Sequence, residues 1–192
     1  MTGASGAAYG LRLLECLLKA GEKVYLMVTP PAHMVIAMET ELRPPKRAGE
    51  MERFFAERFK AREGQLRVFA MDQWMAPVAS GSHPPRAMVV CPCTVGTLAA
   101  IAQGMSDNLI ERAADVALKE KRPLILVPRE TPLSAIHLEH MLRLARLGAV
   151  ILPPSPGFYL HPRGIGDLVD FIVARILDHL AVPHDLLPRW GA

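Results

Sequence analysis

The stretch PLILVPRETPL, Pro123 to Leu133, contains the segment that decides the fold. Leu124 to Val127 is apolar at every position, which is typical of a strand buried on both faces. Pro128, Arg129 and Glu130 follow at once. A turn uses the proline but does not need the charged pair. Either this pair belongs to a solvated loop, or an anion binds beside it.

Four further strand-like runs alternate with stretches of helical spacing. The predicted strands are Lys23–Val28, Leu66–Ala70, Ala87–Cys91, Leu124–Val127 and Ala149–Leu152. The predicted helices are Ala7–Ala20, Ala32–Glu41, Glu50–Arg62, Val95–Gln103, Asn108–Glu120, Ser134–Leu147 and Gly166–Leu180. This alternation predicts an α/β protein, in which a parallel sheet is covered by helices on both faces.

The length and the composition of the chain are those of one globular domain spanning residues 1–192. A net charge of only +3 gives no field that would hold nucleic acid or an anionic membrane. No apolar run approaches the roughly 20 residues of a membrane span, and the N-terminal residues do not resemble a signal peptide. Three cysteines do not suggest a disulfide framework. We therefore expect a cytoplasmic protein with reduced thiols.

The segment TGASGA, residues 2–7, opens the first predicted helix with small residues. Its backbone N–H groups and the Ser5 hydroxyl could approach a phosphate at the positive end of that helix. Gly3, Gly6 and Gly10 depart from the GxGxxG pattern, and the next strand ends at Thr29 instead of at an acidic residue. The segment therefore favours a mononucleotide over NAD, and the alternative is a tight turn that only packs helix on sheet.

A glycine-rich turn of this kind normally follows a strand, yet only Met1 precedes Thr2. In a doubly wound sheet, the missing strand would be central. Two explanations stay open: the numbering begins inside the natural protein, or its start was assigned late.

The segment CPCTVGT, Cys91 to Thr97, places two hydroxyls and a glycine at the start of the next predicted helix. This arrangement predicts a second anion or flavin-edge site. The C-x-C spacing has no second cysteine pair to complete a metal site, and His137 and His140 do not complete one either. We expect buried structural thiols and no bound metal.

Charged residues near the later strands offer further candidates. Arg112 and Lys119 share one helical stripe, although Asp115 lies at helical spacing from both and could pair with them. Arg129 could form a bidentate hydrogen bond with a phosphate while Glu130 transfers a proton. Glu39 is a second candidate acid, and Tyr159 and Arg175 could complete a phosphate clamp. A loop anchor and an exposed helix cation are the alternatives for that last pair.

Three segments closely resemble the flavin prenyltransferases, the UbiX-type enzymes formerly described as aromatic acid decarboxylases. They are residues 2–15, 91–159 and 167–180, and the run from RAADV to PRETPL is the most specific part. The resemblance implies a Rossmann-like or flavodoxin-like fold, bound FMN and a homododecamer. The implied reaction joins reduced FMN, at N5 and C6, to the dimethylallyl group of dimethylallyl monophosphate. Prenylated FMN then serves a UbiD-type decarboxylase, as in ubiquinone biosynthesis.

The resemblance also implies roles for individual residues. The FMN-contacting positions are Thr2, Gly3, Ala4, Ser5, Thr29, Thr94, Val95, Gly96, Thr97, Arg112 and Arg129. The prenyl phosphate positions are Lys119, Arg129, Glu130, Tyr159 and Arg175. Catalytic roles fall to Glu130, Ser5 and Glu39. Of the two substrate-binding tryptophans, Trp74 matches a residue near the reacting centre and Trp190 an aromatic residue by the prenyl pocket. Some of these positions act from neighbouring subunits in the family, so one chain is not expected to hold a complete site.

Two alternative functions stay open, one enzymatic and of the same broad fold, the other not enzymatic. An FMN-dependent cysteine decarboxylase would also pair FMN with an oligomer, but the phosphate-clamp residues argue against it. A flavin carrier would hold FMN without chemistry. Whether the prenyl donor is the monophosphate or the pyrophosphate stays open, because a basic cluster accepts either.

Overall fold

The structure, a computed structural model, describes residues 1–188. Its strands are β1 (Val24–Leu26), β2 (Leu66–Val68), β3 (Met88–Cys93), β4 (Leu124–Pro128) and β5 (Val150–Ile151). Its helices are α1 (Ala7–Lys19), α2 (Pro30–Glu39), α3 (Ala48–Phe59), α4 (Val95–Gln103), α5 (Leu109–Lys119), α6 (Ala135–Arg146) and α7 (Ile165–His179), with a short 3-10 helix at Pro77–Ala79. Every predicted strand and helix is present, and the bounds differ by at most three residues.

The differences in bounds have local causes. Asn108 and Ser134 are N-caps whose side chains accept backbone N–H bonds, so α5 and α6 begin one residue after the predicted starts. Lys60 has a φ of 53°, and this left-handed conformation ends α3 before the predicted Arg62.

The strands are parallel, as predicted, but those of residues 1–188 form two sheets instead of one. β1 pairs with β2, and the other sheet has the order β3-β4-β5. Val24 aligns with Leu66 in the first sheet, and Val90 aligns with Leu126 in the second. Between β1 and β3 lies a cleft of about 530 Å³.

Helices cover both faces of the sheets and give three layers. On one face, α1 and α3 pack on the β1-β2 sheet, and α7 packs on the β3-β4-β5 sheet. On the other face, α4, α5 and α6 pack against β3 and β4. Leu124 to Val127, the run that decides the fold, is buried at every position. Its side chains enter the cores of both faces in turn, as a strand between two helical layers requires.

The cysteines are free thiols, and Cys91 and Cys93 are buried as predicted. Burial raises the pKa of each of these two thiols to about 12, so both stay protonated at neutral pH. Among residues 1–188, no group of three or more metal-binding side chains is arranged to hold an ion. No helix in the same range is long and apolar enough to cross a membrane.

Candidate active site

The loops that follow the strands meet at one edge of the protein, where the strands present their carboxyl ends. Thr2 is buried there, and its hydroxyl donates to the Pro92 carbonyl at 2.8 Å. The same hydroxyl oxygen accepts the Thr94 N–H at 2.8 Å. Thr2 therefore fastens the glycine-rich segment to the end of β3, and its hydroxyl serves this link instead of facing a ligand.

The first turn of α4 presents hydroxyls and backbone donors. Thr94 is the N-cap, and its hydroxyl oxygen accepts the Thr97 N–H at 3.1 Å. The Thr94 hydroxyl then donates to Thr97 Oγ1 at 2.9 Å, so the Thr97 hydrogen is left to donate elsewhere. A Cβ added to Gly96 would meet nothing nearer than Thr94 Oγ1 at 3.9 Å. The space beside the turn of Val95 and Gly96 is therefore open to a ligand.

The first turn of α2 closes against the glycine-rich segment. Thr29 is the N-cap of α2, and its hydroxyl accepts the Ala32 N–H at 3.2 Å. A Cβ on Gly3 would lie 2.4 Å from the Pro31 Cβ, closer than two carbon atoms can approach. Glycine is therefore required at position 3 for these two segments to meet. Ala4 beside it is buried.

The N-terminus of α1 carries the clearest electrostatic feature of this edge. Glu39, at the end of α2, accepts the Gly6 N–H at 2.9 Å and the Ala7 N–H at 2.8 Å. Burial would raise the pKa of Glu39, but hydrogen bonds from Ser5, Ala7 and Gly6 and the charge of Arg129 together lower it.

The donors of α1 were predicted to face a phosphate, and in this structure two of them bind Glu39. A carboxylate at this position is stabilised by the helix dipole, as a phosphate would be. Gly6 and Glu39 are 33 residues apart, so no local pattern of the sequence pairs them.

Arg129 and Glu130 follow β4 at the same edge. The Arg129 N–H donates to the Cys93 carbonyl at 3.2 Å, which fixes the backbone of Arg129 beside α4. The charge of Arg129 also contributes to the lowered pKa of Glu39. Glu130 Oε1 accepts the Thr131 N–H at 3.0 Å.

The two cations of α5 lie at opposite ends of the helix. Arg112, in the first turn, donates to the Ala79 carbonyl at 3.0 Å and to Asp115 at 2.7 Å. Lys119, in the last turn, pairs with Glu120. The expectation that Asp115 pairs with both cations is therefore wrong for Lys119, whose neighbour along the chain is nearer. Because α5 runs away from the carboxyl ends of the strands, only Arg112 is near the site within one chain.

The remaining predicted residues are dispersed. Tyr159 makes an edge-to-face contact with Phe171, with ring centroids 5.9 Å apart. Arg175 donates to Asp178 at 2.7 Å, and it lies ten residues along α7, or about 15 Å from the start of that helix. Trp74 follows β2 and is 47% exposed. Trp190 lies outside the described residues.

Sequence reasoning missed Glu111, which sets the start of α5. Its carboxylate is buried, and it accepts the Asp107 N–H at 2.8 Å and an Asn108 side-chain N–H at 2.6 Å. Asn108 accepts the Ile110 and Glu111 N–H groups in return. An Asn followed three residues later by Glu is the signature that could have revealed it. This cap positions Arg112 in the first turn.

Comparison with known proteins gives matches along the whole chain. The Flavoprotein family model matches residues 1–177. The flavin prenyltransferase UbiX of Pseudomonas aeruginosa is 59% identical over 191 residues, which cover 100% of this chain and 91% of the relative. UbiX of Halalkalibacterium halodurans is 48% identical, with the same two coverages.

Solved structures agree with these sequence matches. AnUbiX (PadA1), solved in complex with FMN and dimethylallyl pyrophosphate, has a TM-score of 0.89 and 41% identity, covering 100% of this chain and 95% of its own. A dodecameric FMN-dependent UbiX-like decarboxylase from Escherichia coli O157:H7 has a TM-score of 0.85 and 38% identity, covering both chains completely. The cysteine decarboxylase TvaF, at 19% identity and a TM-score of 0.58, shares the fold alone. The chain therefore belongs to the UbiX-type flavin prenyltransferase family of flavoproteins.

Proposed function

We propose that this protein joins the dimethylallyl group of dimethylallyl monophosphate to reduced FMN. The C–O bond of the prenyl phosphate breaks, bonds form to N5 and C6 of the flavin, and phosphate leaves. The observation that carries the proposal is the grouping of Arg129 with three helix N-termini at one edge of the protein. A relative with 41% identity over the whole chain was solved with FMN and dimethylallyl pyrophosphate.

The residues at this edge fit FMN. The open turn at Gly96 offers backbone donors, and the Thr97 hydroxyl retains a hydrogen to donate. The first turns of α2 and α4 both begin at the edge, so their dipoles favour a phosphate group there. When bound, the reduced flavin would supply the nucleophilic N5 and C6 positions.

Arg129 and Glu130 divide two tasks in this proposal. A departing phosphate accumulates negative charge, which a fixed guanidinium at Arg129 would stabilise. The Glu130 carboxylate would accept or give a proton near the reacting edge. Glu39 would hold the Ser5 hydroxyl and the first turn of α1 in position beside them, since it already binds both.

Within one chain, the proposed prenyl phosphate site is incomplete. Lys119 and Arg175 lie far along α5 and α7, so we propose that neighbouring subunits supply them. Exposed apolar side chains on the described surface would be covered in such an assembly. They include Met34, Met38, Met75, Ile136, Leu142 and Phe158. The dodecamer of the Escherichia coli neighbour supports the same assembly here.

We also propose the compartment in which the enzyme acts and the enzyme that uses its product. Three free thiols suit a reducing compartment, so we place the enzyme in the cytoplasm. The product would pass to a UbiD-type decarboxylase, as in ubiquinone biosynthesis.

The proposal is tested by incubating the protein anaerobically with reduced FMN and dimethylallyl monophosphate. The expected product is a flavin heavier by one five-carbon prenyl unit, with one phosphate released per flavin. Dimethylallyl pyrophosphate in a parallel reaction identifies the preferred donor, and heat-denatured protein is the control. A carrier would return FMN unchanged. Loss of carbon dioxide from a peptide with a C-terminal cysteine, without prenylation, would instead identify a cysteine decarboxylase.

A further inference from the structure

Tyr159 and Arg175, two of the predicted prenyl phosphate residues, are linked to one face of α7 through Phe171. The Tyr159 ring packs edge-to-face on the Phe171 ring, with centroids 5.9 Å apart and an angle of 81° between the planes. Arg175 follows Phe171 by four residues in α7, and residues at this spacing lie on one helical face. Phe171 therefore connects a loop tyrosine to the helix that carries the arginine.

The loop between β5 and α7 restrains the backbone of Tyr159. The His161 N–H donates to the Phe158 carbonyl at 3.0 Å, so Tyr159 is the second residue of a four-residue turn. Prolines at several positions of residues 153–162 restrict this loop further, since each fixes one backbone angle. The Tyr159 side chain, in contrast, is 53% exposed. The contacts of its ring therefore decide where its hydroxyl lies.

Gly157 provides the space in which the Tyr159 ring lies. A Cβ added to Gly157 would be 2.7 Å from Tyr159 Cε1 and 3.1 Å from Phe171 Cζ, closer than carbon atoms normally approach. Cε1 adjoins the ring carbon that carries the hydroxyl, so a methyl group at position 157 would displace that end of the ring. The φ angle of Gly157 is not positive, so alanine would meet no backbone strain there.

Phe171 is a firm support for this ring. It packs against the apolar core beneath α7, and its neighbours Ile172 and Val173 are almost completely buried. An aromatic pair prefers an edge-to-face or offset arrangement, so a fixed Phe171 favours one orientation of Tyr159. An exposed tyrosine without such a partner would lose more rotamer freedom on binding a ligand, which weakens binding.

Arg175 keeps the freedom to bind an anion together with Tyr159. Its guanidinium donates to Asp178 at 2.7 Å, but the two side chains are 53% and 48% exposed. An exposed ion pair of this kind contributes little free energy, so a phosphate can share or replace Asp178 as the partner. A phenol hydroxyl and a guanidinium both donate hydrogen bonds to phosphate oxygens.

We propose, on the basis of the prenyl transfer proposed above, that Phe171 and Gly157 are positioning residues for the prenyl donor. Phe171 holds the Tyr159 ring so that its hydroxyl donates to the phosphate of dimethylallyl monophosphate on the α7 face that carries Arg175. Gly157 leaves the space that this orientation of the ring requires. Both residues act through Tyr159 and not by touching the donor, and one chain supplies Tyr159 and Arg175 together.

The test measures the binding of dimethylallyl monophosphate to the protein loaded with oxidised FMN, by titration calorimetry, so that no transfer follows. Gly157→Ala and Phe171→Leu should each raise the dissociation constant about 2- to 10-fold, the range expected for loss of an aromatic pair, with unchanged flavin content. With reduced FMN, KM should rise by the same factor while kcat stays within about twofold. Gly166→Ala is the matched control, because among residues 1–188 its added methyl group would meet nothing within 4 Å.

Tyr159→Phe distinguishes positioning from a role in the fold. This change keeps the ring and removes the hydroxyl, and it should weaken binding of the donor by about tenfold or more. In the Tyr159→Phe background, Gly157→Ala and Phe171→Leu should have no further effect on the dissociation constant, because the hydroxyl through which they act is gone. A role in the fold alone would give the same factor in both backgrounds.

Three results would overturn the proposal: equal factors in the two backgrounds, parent affinity in Gly157→Ala, or a parent protein that does not bind dimethylallyl monophosphate. If Phe171→Leu does not fold, Gly157→Ala decides the matter alone. The expected differences in binding, found without any prenylation of reduced FMN, would support the positioning role and refute the proposed reaction.

Discussion

At the residue scale, the charged groups of the site differ in how firmly the structure holds them. Glu39 accepts two backbone N–H groups at the start of α1, and the charge of Arg129 contributes to its lowered pKa. These interactions hold the Glu39 carboxylate in the site. Within residues 1–188, the Glu130 carboxylate accepts a hydrogen bond only from the N–H of the neighbouring Thr131. A loosely held carboxylate can change its position during a reaction, whereas Glu39 is part of the framework.

We therefore expect Glu130→Gln and Arg129→Ala to separate two functions. Glu130→Gln removes proton transfer, so turnover should fall by about 10²–10⁴-fold while FMN content stays near that of the parent. Arg129→Ala removes a guanidinium that can bind a phosphate through two hydrogen bonds. It should therefore weaken binding of the prenyl phosphate and of FMN as well. Single-turnover absorbance, phosphate release and flavin content measure these effects. Prenylation at the parent rate by Glu130→Gln would mean that the carboxylate has no chemical role.

Glu39→Gln should lower the free energy of unfolding by about 1 kcal/mol at neutral pH, because a charge at the N-terminus of α1 is lost. The pKa of Glu39 is lowered by folding, so its contribution is present above the unfolded pKa and is lost as the pH falls through the folded one. Urea unfolding at pH 7 and pH 3 measures the difference, which should be smaller at the lower pH. Glu41→Gln, at an exposed position two residues away, is the control.

At the element scale, short polar links set the positions of the helices that form the site. α2, α4 and α5 each begin with a side chain that accepts backbone N–H groups, namely Thr29, Thr94 and Asn108. α1 instead begins at Gly6, whose φ is 105°, and Glu39 of α2 takes the capping role. The ends of α1 and α2 are thereby coupled to one another.

Thr2→Val should lower the free energy of unfolding by about 1–3 kcal/mol, because the Pro92 carbonyl and the Thr94 N–H both lose the partner that Thr2 provides. Since Thr94 caps α4, FMN binding should weaken as well. Chemical denaturation and flavin titration measure the two effects. Thr2→Ser keeps the hydroxyl and should restore most of both; failure of Ser to do so would show that the methyl group matters more than the hydrogen bonds.

At the scale of the whole molecule, exposed apolar side chains on α6 indicate an assembly. Ile136, Leu138 and Leu142 are between 51% and 63% exposed. These residues are not needed for the fold of one chain, since α6 packs through Met141 and Leu144. A surface of this kind is typical of an interface between subunits.

Light scattering of the parent should therefore show a large closed oligomer, and Leu142→Glu should give smaller species with an unchanged circular dichroism spectrum. The added charge would have to be buried without a partner in the interface. Glu63→Lys changes charge at an exposed loop position and is the control. A parent protein that stays monomeric at micromolar concentration would contradict both the assembly and a site shared between subunits.

For the chain that begins at Met1, the free energy of unfolding should rise between pH 6 and pH 8. The amine pKa is lowered from 8.0 to about 6, so in this window the unfolded chain holds a proton that the folded chain has released. Two pKa units correspond to at most about 3 kcal/mol of unfolding free energy. Burial also lowers the pKa of His33, so urea unfolding of the parent should be compared with that of an N-acetylated chain. An equal rise in both forms would assign the effect to other groups.

The sequence alone determined the elements and the family of this protein. Helix and strand positions follow from the spacing of apolar residues and from helix caps, which are local properties. The family follows from contiguous motifs such as the run from RAADV to PRETPL. Cys91 and Cys93 were correctly expected to be buried because they end an apolar strand.

Only the tertiary structure decided how these parts face one another. The bonds of Glu39 to Gly6 and of Thr2 to Pro92 join residues 33 and 90 positions apart, and no local pattern specifies such partners. Lys119 was grouped with Arg112 by helical spacing, yet the direction of α5 carries it away from the site. The division into two sheets is likewise a property of packing, because each strand forms from its own sequence while pairing depends on which neighbour is present to accept its hydrogen bonds.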